Sequence, residues 1–63
     1  MNADIISTFE NEEEGTRAVI SNSYKGGFNV IMLDSDSGES LGGKIGIVEY
    51  DAAVTYAKFI INA

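Results

Sequence analysis

Sixty-three residues imply one domain near the lower limit at which a hydrophobic core holds a chain unaided, and with neither cysteine nor histidine no disulfide can reinforce it. The same absence removes the usual zinc ligands, the thiol nucleophile and the common general base near neutral pH, so carboxylate chemistry is what remains. Ten acidic residues against four basic ones give a formal net charge of −6, which argues against direct binding to a nucleic-acid backbone, since that needs clustered Lys and Arg.

In chain order, Ile5-Ile6-Ser7-Thr8-Phe9 is β-branched and aromatic and reads as a first strand over residues 4–9. Glu10, Glu12, Glu13 and Glu14 follow, and their mutual repulsion predicts a solvated loop. Residues 16–24 alternate, with Ala18, Ile20 and Tyr24 on one parity, and form a second strand. Phe28–Asp34 is the most apolar run and has turn signals on both sides, so it is read as the central strand. A three-residue loop, Lys25-Gly26-Gly27, would set Tyr24 opposite Phe28, Ile20 opposite Met32 and Val19 opposite Leu33.

Asp36-Ser37-Gly38 predicts another tight turn, and residues 39–49 a fourth strand with an irregularity near Gly42-Gly43. At Asp51 the period changes. Ala53, Val54, Ala57, Ile60 and Ile61 mark one face of a helix over 51–62, with Asp51 as its cap and Thr55, Lys58 and Asn62 on the wet side. The predicted fold is α+β, a four-stranded antiparallel meander with one C-terminal helix on a face, β-β-β-β-α.

Both parities of the central strand are apolar, so one helix leaves a face open. Strict alternation gives the helix Val19, Ile31, Leu33, Leu41, Ile45 and Ile47. Ile20, Tyr24, Phe28, Val30, Met32 and Val48 are then left as a self-association face, and a homodimer is expected; the reverse holds if Gly42 and Gly46 exist to admit the helix.

Two motifs resemble sites of chemistry and fail on spacing. Gly38-Glu-Ser-Leu-Gly-Gly43-Lys44 follows a phosphate-binding loop as far as its lysine, but Ile45 stands where a Ser or Thr must hold magnesium and no helix follows. Asp34-Ser-Asp36-Ser-Gly38-Glu39 resembles a calcium loop, yet Gly38 and Ile45 occupy ligand positions. Glu49 is a single acid in an apolar stretch, whereas glycosidase-type chemistry needs two acids across a cleft. Tyr24 and Phe28 form an aromatic pair without the basic groove of a single-strand binder. No catalytic residue, metal site or cofactor is expected.

In an up-and-down meander the first and third turns share an end, which brings Glu10, Glu12, Glu13, Glu14, Asp34, Asp36 and Glu39 to one acidic pole. The helix would run back toward it. This layout, with Tyr50-Asp51-Ala52-Ala53-Val54-Thr55-Tyr56-Ala57 as a Tyr-x-x-Ala-x-x-x-Ala helix, resembles the small acidic accessory proteins of tailed phages. The resemblance implies a modulator or inhibitor of a host protein, acting in the host cytoplasm.

The expected function is therefore a non-enzymatic interaction module that binds a protein with a basic surface. The alternative is a nucleic-acid mimic that occupies the basic groove of a nucleic-acid-binding or defence protein. No signal peptide or membrane span is visible, so no membrane partner is expected and the expected location is the cytoplasm.

Overall fold

The computed structural model describes residues 5–23 and 26–62. In it β1 (Ile5–Asn11), β2 (Thr16–Asn22), β3 (Phe28–Asp34) and β4 (Ser40–Ile47) form one antiparallel sheet in the order β1-β2-β3-β4, and α1 (Tyr50–Ile61) packs on one face. The fold is the α+β arrangement that the spacing predicts.

Strand β1 runs two residues past the expected end at Phe9, pairing Glu10 with Arg17 and Asn11 with Thr16. Its acidic end is tolerated because the Arg17 guanidinium lies 3.0 Å from the Glu10 carboxylate across the ladder. An opposite charge on the facing position removes the repulsion that would otherwise end the strand. Only Glu12–Gly15 is left as turn.

The register between β2 and β3 differs from expectation by two residues. Ile20 faces Val30, Val19 faces Ile31 and Asn22 faces Phe28, so the connection spans five residues, 23–27, where three were expected. Ser23 and Gly27 close it, the Ser23 N–H donating to the Gly27 carbonyl at 3.1 Å and the Gly26 N–H to the Ser23 carbonyl at 3.1 Å. A shift of two preserves every residue's face, because strand side chains repeat with period two. The expected Tyr24–Phe28 pairing involves Tyr24, which lies outside the described residues, and Phe28 pairs with Asn22 instead.

The helix covers the face opposite to the one assigned by strict alternation. Ala18, Ile20 and Val30 from the sheet and Ala53, Ala57 and Ile61 from α1 are buried together, with Phe9, Phe28, Met32, Ile47, Val54, Tyr56 and Ile60 packed around them. Ile20, Phe28, Val30 and Met32 therefore belong to the intramolecular core and are not a self-association face. Val48 is 82% exposed in the link between β4 and α1.

The reason lies in β4, which carries two irregularities against β3. Gly42 faces Met32 and Ser40 faces Leu33, leaving Leu41 as an extra residue near the expected glycine pair. Lys44 then faces Val30 and Ile47 faces Phe28, so an extra residue also sits between them, and Gly46 there adopts φ +75°. A bulge shifts alternation by one. Ile47 thus reaches the core while Ile45 points away, 73% exposed, although the two share a parity in sequence. Gly43 lets β4 approach closely, since an added Cβ would overlap the Val30 carbonyl oxygen.

Helix α1 starts one residue earlier than expected. Its N-cap is Glu49 in extended conformation, with no side-chain cap bond, and Asp51 sits in the first turn, where its charge complements the helix dipole. Ala53, Ala57 and Ile61 face inward as the spacing predicts, and Thr55, Lys58 and Asn62 are exposed.

Two outcomes follow for stability. Ile20 and Val30 are the large side chains with no exposure, so their amides should exchange slowest, at the rate of global opening, when followed by NMR. Ile20→Val should lower stability in denaturant titration by about 0.5–1.5 kcal/mol, whereas the same truncation at exposed Ile45 should change it little.

Candidate functional site

The two acidic turns meet at one end of the sheet. The Ser35 N–H donates to the Gly15 carbonyl at 2.8 Å, a backbone bond that joins the β1–β2 turn to the β3–β4 turn directly. Around it stand Glu12, Glu13 and Glu14 from the first turn and Asp36 and Glu39 from the second, all exposed. Their carboxylates have no hydrogen-bond or ion-pair partner among the described residues. Glu10 and Asp34 share this end but are engaged locally, Glu10 with Arg17 and Asp34 within its own turn.

The second turn is built on Asp34. Its Oδ1 accepts from the Asp36 N–H at 2.8 Å and the Ser37 N–H at 3.1 Å, while its own backbone closes the loop by Gly38 N–H to Asp34 carbonyl at 2.8 Å and Asp34 N–H to Glu39 carbonyl at 2.9 Å. This is an Asx-type brace. The Ser37 and Asp36 backbone donors hold the Asp34 carboxyl below the usual carboxylate range. Hydrogen bonds to the charged form stabilise it, so this carboxyl is a turn brace and a poor proton donor.

The helix adds to the same end. Asn11 Nδ2 donates to the Ile61 carbonyl, which fixes the C-terminus of α1 beside the first acidic turn, as the topology predicts. At the opposite end the Tyr50 and Ser7 hydroxyls are 2.6 Å apart, and the Tyr50 ring meets Phe28 edge-on at 5.5 Å. The partial negative charge of the helix C-terminus therefore joins the carboxylates. Lys58, in the last turn with its Nζ 5.7 Å from the Phe9 ring centre, offsets part of it.

Glu10, Asn11, Glu12, Glu13 and Asn62 line a shallow polar depression of about 500 Å³ at this end. The acids share the end without converging. Among the described residues, no group of three or more acids, His or Cys is placed to hold a metal ion. The segment 38–44 that resembles a phosphate loop is turn and bulged strand. Glu49 caps the helix start on the exposed surface.

A second surface is the sheet face turned away from α1, the face that strict alternation assigned to the helix and that the glycine-based alternative left open. Val19 and Ile31, paired across β2 and β3, sit on it partly exposed, with Leu33 and Ile45 nearby. The counter-signal was present in the chain: Ala18, Ile20, Phe28, Val30 and Met32 leave the even face of these strands apolar, while Arg17, Ser21 and Asn29 mark the odd face as wet. A third surface, on the helix, is an open depression of about 460 Å³ lined by Asp51, Ala52, Thr55, Tyr56 and Phe59, with Phe59 69% exposed. Lys44 Nζ stands 6.0 Å from the Tyr56 ring centre at its sheet side.

No helix among the described residues is long and apolar enough to cross a membrane. Neither the family models, nor the curated proteins, nor the solved structures compared with this chain give a match.

The Asp34 brace has a pH signature. A carboxyl whose folded pKa is depressed contributes stability that is present above its unfolded value, near 4, and is lost as pH falls through the folded one. Asp34→Ala should lower the denaturation midpoint at pH 6 and leave a smaller difference between pH 6 and pH 2.5 than in the parent chain. An unchanged pH dependence would assign the turn's stability to its backbone bonds alone.

Proposed function

We propose that this chain is a non-enzymatic protein-interaction module whose acidic end docks on a basic surface of another protein, as a modulator or inhibitor acting in the cytoplasm. The observation that carries this reading is the Ser35 to Gly15 backbone bond, which couples two acidic turns into one platform. Five carboxylates on that platform have no partner among the described residues, so their charge is available to an incoming surface. Charge concentrated at one end raises a local potential that steers a basic partner and fixes its orientation more than it adds affinity.

The resemblance to phage accessory proteins points to the same kind of partner, a host protein with a basic site, in the host cytoplasm. Where that site normally holds nucleic acid, docking becomes mimicry. The exposed, separated carboxylates suit either mode better than acid–base catalysis, which requires acids in unlike environments across a cleft.

The test is capture of the partner from the source cell on immobilised protein, then affinity measurements with the parent chain and with the Glu12→Gln, Glu13→Gln, Glu14→Gln triple variant. Parent affinity should fall as salt rises. The variant should bind at least about tenfold more weakly at low salt, roughly 1.4 kcal/mol, with a shallower salt slope. Unchanged affinity and slope would refute docking through this end. Release of bound nucleic acid from the partner by the parent chain, but not by the variant, would identify the mode as mimicry.

A further inference from the structure

We propose that the peptide bond between Gly15 and Thr16 is a self-cleavage site, at which the Thr16 hydroxyl attacks the Gly15 carbonyl and water then hydrolyses the ester so formed. The reaction happens once per chain and acts on no other substrate. It does not depend on docking through the acidic end, so either proposal can fail without the other.

The argument starts from the Thr16 hydroxyl. Thr16 opens β2 on the same parity as Ala18 and Ile20, paired with Asn11 on one side and Asp34 on the other. Among the described residues its Oγ1 is the one buried side-chain oxygen or nitrogen without a hydrogen-bond partner. Leaving a hydroxyl buried and unpaired costs about 1–3 kcal/mol, and such a group in a folded chain calls for a reason, reactivity among them. A hydroxyl bonded neither to protein nor to water keeps its lone pairs free for attack.

The electrophile is its own neighbour. Addition of Thr16 Oγ1 to the Gly15 carbonyl carbon closes a small ring through Cβ, Cα and N, so covalent bonds already hold the two groups together and no second reactant has to be brought up. The Gly15 carbonyl oxygen accepts the Ser35 N–H at 2.8 Å. This donor is in place before reaction, at the distance from which a backbone N–H stabilises the negative charge that grows on a carbonyl oxygen under attack. Glycine on the acyl side leaves the carbon uncrowded, since even an added Cβ at Gly15 would meet nothing within 4 Å.

The steps balance. Thr16 Oγ1 bonds to the Gly15 carbonyl carbon, the Ser35 N–H holds the oxyanion, and the hydroxyl proton passes to the Thr16 nitrogen as the carbon–nitrogen bond breaks. The chain is then joined by an ester between the Gly15 acyl group and Thr16 Oγ1, with a free amine on Thr16. Gly15 is part-exposed at the end of its turn, so water reaches the ester. Hydrolysis leaves a carboxylate on Gly15 and restores the Thr16 hydroxyl, and one water is the only reagent consumed. The chain has neither His nor Cys, and this route needs neither.

The fold holds the product together. After cleavage β1 keeps its ladder to β2, Ser7 its contact with the Tyr50 hydroxyl, and Asn11 its bond to the Ile61 carbonyl. The cleaved protein therefore behaves as one particle under native conditions and separates into two pieces when denatured.

The parent chain, purified with protease inhibitors and incubated for days at neutral pH, should give two fragments in denaturing mass spectrometry. One should end at Gly15 and the other begin at Thr16, their masses summing to that of the intact chain plus one water. Hydroxylamine, which attacks esters, should raise the yield severalfold and leave a hydroxamate on Gly15. Thr16→Val should keep the circular dichroism of the parent and stay intact, whereas Thr16→Ser should cleave. Should Thr16→Val fail to fold, the hydroxamate decides, and its absence from the Gly15 fragment counts against the ester. A parent that stays intact with and without hydroxylamine, a folded Thr16→Val that cleaves at the same bond, or a parent that cleaves as fast in denaturant, where the Ser35 bond is lost, would overturn the proposal.

Discussion

Three fully buried alanines in one core cluster govern how the helix sits on the sheet. Ala18 on β2 and Ala53 and Ala57 on α1 are all fully buried, and each presents only a methyl group, so the helix backbone comes down onto the centre of the sheet. Ile20 and Val30 fill the space beside that contact with no exposure, and larger side chains such as Phe28, Met32, Ile47 and Ile60 close its perimeter. Larger residues at the alanine positions would lift the helix and open voids around both, which is why cores resist overpacking as well as cavities. A helix seated here lies over β1, β2 and β3 and scarcely touches β4, whose residues are exposed from Ser40 to Gly46.

Apolar contact alone leaves the helix free to slide along the sheet, and polar bonds at its two ends remove that freedom. Tyr50 meets Ser7 at one end and Asn11 reaches the Ile61 carbonyl at the other, so β1 clasps the full length of α1. The Asn11 bond also satisfies one of the carbonyls that every helix leaves unpaired at its C-terminus. It does so at an electrostatic cost, because the negative end of the helix is drawn toward the glutamates of the first turn. Arg17 and Lys58 stand where they offset that charge.

Much of this was legible in the chain. Element order, the inward helix residues Ala53, Ala57 and Ile61, the irregularity near Gly42 and the gathering of acids at one end all follow from periodicity and from the geometry of a meander. What could not be read was local. Ile45 and Ile47 share a parity, and only the inserted residue at Gly46 sends them to opposite faces; the irregularity expected near Gly42-Gly43 lies before both, so without the second one the aliphatic residues of β4 weighted the wrong side of the sheet. The five-residue connection after Asn22 was missed because Gly26-Gly27 is compatible with several loop lengths, and the deciding contacts are backbone bonds between Ser23, Gly26 and Gly27. Glu10 was given to the loop because its partner Arg17 is seven residues away and becomes a neighbour only in the folded ladder.

Seven of the ten acids stand at one end, where the Ser35 to Gly15 bond joins the two turns that carry most of them, while Glu10 is neutralised by Arg17 across the ladder. Exposed charge pairs contribute little individually, so whatever these carboxylates can do depends on their number and on the backbone bond that holds their two turns together.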